Sequence, residues 1–141
     1  MESKKSNLKR YGLIGSNIAY SFSRGYFKKK FETENLQDCS YENFDLDQIE
    51  ALEKVFAQKN LSGLNVTTPY KREVVPFLNR LSPTAAEMNA VNTIKFHQDG
   101  SISGHNTDVH GFEKSLLEII NTLPKKALIL GTGGASSAVA Y

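Results

Sequence analysis

"ALILGTGGASSAVAY" (Ala127–Tyr141) is the stretch on which the reading of the fold turns. An apolar run, Ala127–Leu130, leads into a turn with Gly131, Gly133 and Gly134, and small residues suited to a helix follow. Strand, glycine-rich turn and helix, in that order, are the context in which a dinucleotide-binding loop is recognised. Glycine permits the tight turn and lets the backbone approach a pyrophosphate, while the helix N-terminus offers free N–H groups to it. Ser136 stands where a third Gly or Ala would complete the fingerprint, and the ribose-holding acid, about 20 residues on, would lie beyond Tyr141. A tight strand–helix turn without a ligand is the alternative that this loop leaves open.

Working back from that loop, strands and helices alternate. "DVHGFEKSLLEIINTL" (Asp108–Leu123) reads as a helix with Phe112, Leu116, Leu117 and Ile120 on one stripe, ended by Pro124. "AVNTIKF" (Ala90–Phe96) and "SISGHNTD" (Ser101–Asp108) read as strands joined by a turn at "HQDG". "SPTAAEMN" (Ser82–Asn89) opens a helix with Ser82 as cap and Pro83 at its first position. "YKREVVPFLNRL" (Tyr70–Leu81) is expected as a short helix after the strand "LSGLNVTTP" (Leu61–Pro69). "DLDQIEALEKVFAQKN" (Asp45–Asn60) has the clearest helical stripe, Leu46, Ile49, Leu52, Val55 and Phe56, with Asp45 or Asp47 as cap. "SYENFDL" (Ser40–Leu46) alternates as a half-buried strand does; "SRGYFKKKFETE" (Ser23–Glu34) is a helix and "RYGLIG" (Arg10–Gly15) a strand. The pattern predicts an α/β fold with a mostly parallel sheet flanked by helices.

Composition excludes several classes. The 141 residues suffice for one domain with a real core, and 40% hydrophobic with 23% charged residues reads as soluble and globular. A net charge of +2 is too small to imply nucleic acid. Eight of the 17 basic residues fall in the first 30 positions, read as a solubilising terminus and a solvated helix face at Lys28, Lys29 and Lys30. Cys39 is the single cysteine, which removes internal disulfides and thiolate-built metal sites and fits a cytoplasmic setting. His97, His105 and His110 share no helical face with an acid, so no metal is expected. No apolar run approaches the roughly 18 residues of a membrane span.

Polar residues gather at predicted strand ends, where open α/β sheets bind ligands. Asn65, Thr67, Thr68 and Lys71 follow one strand; Asn92-Thr93 and Asn106-Thr107-Asp108 flank two others. Lys71 at a helix start opposes the helix dipole, a placement that hints at functional need. Asp108 is either a helix cap or, beside Lys71 in a cleft, the group that orients an ammonium for proton transfer. Ser21 and Ser23, in a loop before a helix, are capping serines or carboxylate binders. Hydroxyls, an amide, an ammonium and a dinucleotide loop together suggest hydride transfer to or from a small hydroxy acid.

Five motifs in order, "GLIGSNIAYSFS", "GLNVTTPYK", "AVNTI", "GHNTDVHGF" and "LILGTGGASSAVAY", resemble those of the shikimate dehydrogenase family from about Tyr11 to Tyr141. The resemblance implies reversible, NADP-dependent reduction of 3-dehydroshikimate to shikimate in aromatic amino-acid (chorismate) biosynthesis. It implies that Ser21 and Ser23 hold the substrate carboxylate and that Thr67, Asn92 and Asp108 bind ring hydroxyls. Lys71 would exchange the proton with Asp108 as its partner, and Gly131, Thr132, Gly133, Gly134 and Ala135 would lie under the cofactor pyrophosphate. Asn17, Tyr20, Arg24, Val109 and Thr132 depart from the family pattern, which has Pro, His, Pro, Gly and Ala there. The resemblance divides the chain into a shikimate-binding catalytic domain (1–107), a connecting helix (108–124) and the start of a Rossmann-type NADP domain (125–141). Family members being nearly twice as long, a truncated and by itself inactive form is expected, with "KKALIL" (Lys125–Leu130) an exposed strand edge. A quinate or NAD-using relative and a non-catalytic shikimate-binding module are the alternatives. The partner is the small-molecule substrate; a homodimer is left open.

Overall fold

The computed structural model describes residues 8–141. Strand β1 (Lys9–Gly15) lies between β2 (Cys39–Asp45) and β3 (Leu61–Val66), parallel to both. The hairpin β5 (Thr93–Phe96) and β6 (Ile102–His105) pairs antiparallel with β3, and β4 (Arg80–Leu81) adds in parallel at the far edge. The sheet order is β2-β1-β3-β5-β6-β4. Three of the five pairings are parallel; the β3–β5 and β5–β6 contacts make the sheet mixed. A hairpin returns the chain at once, so this part needs no crossover helix.

The two faces of the sheet differ because side chains alternate along each strand. Ile14, Phe44, Leu64, Val66 and Ile94 point to one face and form the core with Leu52, Val55, Tyr70 and Val74. Helix α2 (Leu52–Phe56) covers this face, preceded by a single 3-10 turn, Ile49–Ala51. Helix α1 (Phe22–Thr33) covers the other face over β1 and β2, where Phe27 stacks on Tyr41 at 4.5 Å and Phe31 tilts against Tyr11. Helix α3 (Pro83–Met88) starts on Ser82, whose hydroxyl accepts from Ala85 N–H, and ends on Asn89 with φ 48°. Asn17, Asn35, Asn60 and Asn89 all take positive φ, the left-handed region that asparagine tolerates better than most residues.

Four expected elements turn out differently. The helix over Asp45–Asn60 shrinks to the 3-10 turn and five-residue α2, although its apolar stripe is the buried one. Its expected cap is missing because Asp45 accepts hydrogen bonds from Asn17 and Ile18 instead, and Gln48 at the cap position makes no capping bond. Tyr70–Leu81 is a run of turns, a 3-10 turn at Val75–Phe77, and β4. Pro76 lacks an N–H and cannot continue a helix through this segment. Lys125–Leu130 joins no strand of the sheet, and Leu128 and Leu130 stay exposed. An extended segment becomes a strand only when a neighbour takes its N–H and C=O groups.

Helix α4 (Asp108–Ile119) stops four residues short of the expected end, and its stripe faces no core: Phe112 and Leu117 are exposed. Helix α5 (Gly134–Ala140) packs against α3 and α4, burying Ala138 with Met88 and Ala90. No helix among the described residues is long and apolar enough to cross a membrane.

Candidate active site

The sheet order brings four segments to one edge. Parallel β1 and β3 end there, at Gly15 and Val66; β5 begins there, since Thr93 lies opposite Asn65; β6 ends there at His105. The loops that leave this edge carry the expected polar residues. Thr67 N–H donates to Ile14 C=O, and the Thr68–Pro69 peptide that follows is cis. Lys71 C=O then accepts from Val91 N–H at 2.7 Å, which fastens the lysine beside the start of β5.

Lys71 Nζ donates to Asp108 Oδ2 at 2.6 Å, and the two side chains are 17% and 33% exposed. Asp108 is the first residue of α4, with Thr107 at the cap, so its carboxylate does not cap the helix. Asn92 Nδ2 donates both to Asp108 Oδ1 at 2.8 Å and to Thr107 Oγ1, while Asn92 Oδ1 accepts from Thr107 N–H and Thr93 Oγ1. Buried Asn106 bridges Ala90 C=O and Asp108 N–H. The result is a lysine held in one orientation by a carboxylate that is itself held by an amide. Because no helix begins at Tyr70, the expected opposition between Lys71 and a helix dipole disappears.

A second group lies at the end of β1. Ser21, Ser23 and Thr67 line a pocket of about 360 Å³ with Leu13, Ile18, Tyr20 and Phe22. Ser21 also caps α1 by accepting from Ser23 N–H at 3.2 Å, so the capping role holds for this serine alongside its place in the pocket.

Glycine positions carry the third group. Gly131 has φ 123°, and an added Cβ would meet Ser136 Oγ at 2.8 Å. Gly134 packs on Lys71, with the position of a Cβ only 3.2 Å from Lys71 Cβ. Arg72 donates to Ser137 Oγ at 2.7 Å, tying α5 to the lysine segment. The turn Gly131–Ala135 is therefore seated beside Lys71, in a backbone conformation that a larger residue would disturb.

Tyr41 and Asp45 take roles at the site that local sequence patterns do not single out. The Tyr41 phenol donates to Asn65 Oδ1 at 2.9 Å. The alternation of β2 is the available signal, since it puts Tyr41, Asn43 and Asp45 together on the face away from the core. Burial pushes the Tyr41 phenol up to about 12, offset in part by the Ser23 hydroxyl nearby. A proton held more tightly in the folded state stabilises it below pH 10, and that contribution is lost as pH rises towards 12. Stability should therefore fall between pH 10 and 12, and fall less in Tyr41→Phe; equal slopes in urea titrations of the two proteins would contradict this.

Fold and site define a substrate-binding α/β domain, with a lysine–aspartate pair at the carboxyl edge of its sheet. The family model for the shikimate dehydrogenase substrate binding domain matches residues 13–94, and the chain belongs to the shikimate dehydrogenase family. It is 40% identical over 135 residues to shikimate dehydrogenase (NADP(+)) of Pyrococcus abyssi, covering 95% of this chain and 50% of that protein. The solved shikimate dehydrogenase 1 of Peptoclostridium difficile superposes with TM-score 0.83 at 34% identity, covering 94% of this chain and 49% of that one. Shikimate 5-dehydrogenase of Thermus thermophilus, solved with NADP(H) and shikimate, gives TM-score 0.79 at 34% identity over 94% and 50%. The chain thus spans about half the length of the relatives it matches.

Proposed function

We propose that this chain supplies the shikimate-binding half of an NADP-dependent shikimate dehydrogenase, which reduces 3-dehydroshikimate to shikimate reversibly. The observation that carries the reading is the Lys71–Asp108 contact at 2.6 Å, anchored by Asn92, at the edge of the sheet where ligands bind. The unit that binds substrate comprises residues 1–107, with residues 108–124 as connector and 125–141 as the start of the cofactor domain.

Ser21 and Ser23 bind the substrate carboxylate through neutral hydroxyls, while Thr67, Asn92 and Asp108 take the ring hydroxyls. The Lys71 ammonium lies on the reacting oxygen. In the direction of reduction it gives its proton to that oxygen as the carbonyl becomes an alcohol, and Asp108 keeps Nζ in line for the transfer. In the reverse direction the neutral amine takes the proton back. A pyrophosphate seat at the Gly131–Ala135 turn is supported by the positive φ of Gly131 and by the close packing of Gly134 on Lys71, where an added Cβ would be crowded. Gly131, Thr132, Gly133, Gly134 and Ala135 would hold NADP, which supplies or accepts the hydride. The setting is cytoplasmic biosynthesis, with shikimate and 3-dehydroshikimate as partners.

Calorimetric titration of shikimate into the wild type and into Ser23→Ala with Thr67→Val tests the reading. Each lost hydroxyl contact should weaken binding by about threefold to tenfold, roughly 0.5–1.5 kcal/mol. Saturable wild-type binding that the double substitution leaves unchanged would remove shikimate from this pocket.

A further inference from the structure

The loop between β1 and α1 leads to both serines of the pocket, Ser21 as the cap of α1 and Ser23 in its first turn, not in the loop as the sequence suggests. Asn17 sits in the left-handed region at φ 54°. The N–H groups of Asn17 and Ile18 both point at one carboxylate: Asp45 Oδ1 accepts from Asn17 at 2.8 Å and Asp45 Oδ2 from Ile18 at 3.1 Å. Two positions earlier on the same face of β2, Asn43 Nδ2 donates to Ile18 C=O at 3.0 Å. That same carbonyl accepts from Ser21 N–H at 2.9 Å, and Ser21 in turn caps α1 through Ser23 N–H. The Ile18 peptide is thus gripped at its N–H and its C=O from the neighbouring strand, and its side chain is buried.

We propose that Asp45 is a positioning residue for the serine loop: it holds Ser16–Ile18 in the conformation that sets Ser21 and Ser23 into the pocket with Thr67. The inference deepens the proposed function and rests on it only for the identity of the ligand. A carboxylate is the side chain suited to the task, because it offers two acceptor oxygens to two successive N–H donors. An amide at this position offers one acceptor and sets its NH2 against the second N–H. Proline at position 17 is incompatible with the arrangement, since its φ is locked near −65° and it has no N–H to give.

Amide hydrogen exchange by NMR in the ligand-free protein tests the clamp without reference to substrate. In Asp45→Ala the amides of Ile18, Ser21 and Ser23 should exchange about tenfold faster or more, while those of Leu13 and Ile14 in β1 keep their rates. Asp45→Asn, which retains one acceptor, should fall between wild type and Asp45→Ala. Wild-type exchange at Ile18 and Ser21 in Asp45→Ala would overturn the proposal. So would equal acceleration in β1, which would mark a general loss of stability. A parallel shikimate titration should show affinity about tenfold weaker in Asp45→Ala. If the loop opens and affinity stays at the wild-type value, the positioning role is refuted. If the wild type itself binds no shikimate, the substrate assignment falls, and the exchange rates still decide whether Asp45 holds the loop.

Discussion

In a full-length enzyme carrying this chain as its substrate domain, Lys71→Ala is expected to lower kcat for 3-dehydroshikimate reduction by about 10²–10⁴-fold, the usual worth of a positioned proton donor. KM should change far less, because the ring contacts proposed for Thr67 and Asn92 would remain. Asp108→Asn should also lower kcat, by a smaller factor, since it removes the charge that orients the Lys71 ammonium across 2.6 Å. The two residues act as a unit, so Lys71→Ala combined with Asp108→Asn should be hardly worse than Lys71→Ala alone. The measurement is NADPH absorbance at saturating ketone. A Lys71→Ala enzyme within tenfold of wild type would exclude the lysine from proton transfer.

Ile14→Ala is expected to cost about 2–5 kcal/mol of folding stability, a large share of the roughly 5–15 kcal/mol that a domain possesses. Ile14 is fully buried on β1, opposite Phe44 on one neighbouring strand and Val66 on the other. Removing three carbons there leaves a hole that a close-packed sheet cannot fill by relaxation. The effect should appear as a lower urea midpoint with little change in slope. Ile119→Ala is the control: Ile119 is 81% exposed on α4, and its truncation should stay within about 0.5 kcal/mol. A cost below about 1 kcal/mol at Ile14 would mean that the core is not centred on β1.

Local chemistry explains which elements are legible in the amino-acid sequence. The strands β1, β2 and β3 announce themselves by apolar runs or alternation, and the β5–β6 hairpin by its turn at His97–Gly100, where Gly100 takes φ 82°. The start of α3 is readable because Ser82 and Pro83 are the cap and first residue a helix asks for. Tyr70–Leu81 is not, because its helical periodicity in a short window outweighs the signal of one proline. Leu46, Ile49, Leu52 and Val55 do form an inward stripe, but a stripe specifies a face and not a length.

For the site, the residue types and their place at strand ends are visible in the sequence, and the family's motifs give Lys71 and Asp108 their expected roles. Their contact is not visible, since it joins positions 37 residues apart through a sheet order that no local pattern encodes. Asp45 shows the difference most sharply. Read locally it is a helix cap; in the fold its carboxylate reaches 28 residues back to Asn17 and accepts the N–H groups of Asn17 and Ile18. Side-chain period and turn chemistry act within a few residues, so they suffice for β1, β2, β3 and the β5–β6 hairpin, the core face and the polar residues that leave the sheet. They do not suffice for β4, which the local pattern places in a helix, nor for Lys125–Leu130, which reads as a strand and joins none. Which carboxylate caps a helix, which clamps a loop and which pairs with a lysine depends on the packed fold, because a hydrogen bond forms with whatever donor the assembled backbone brings within about 3 Å.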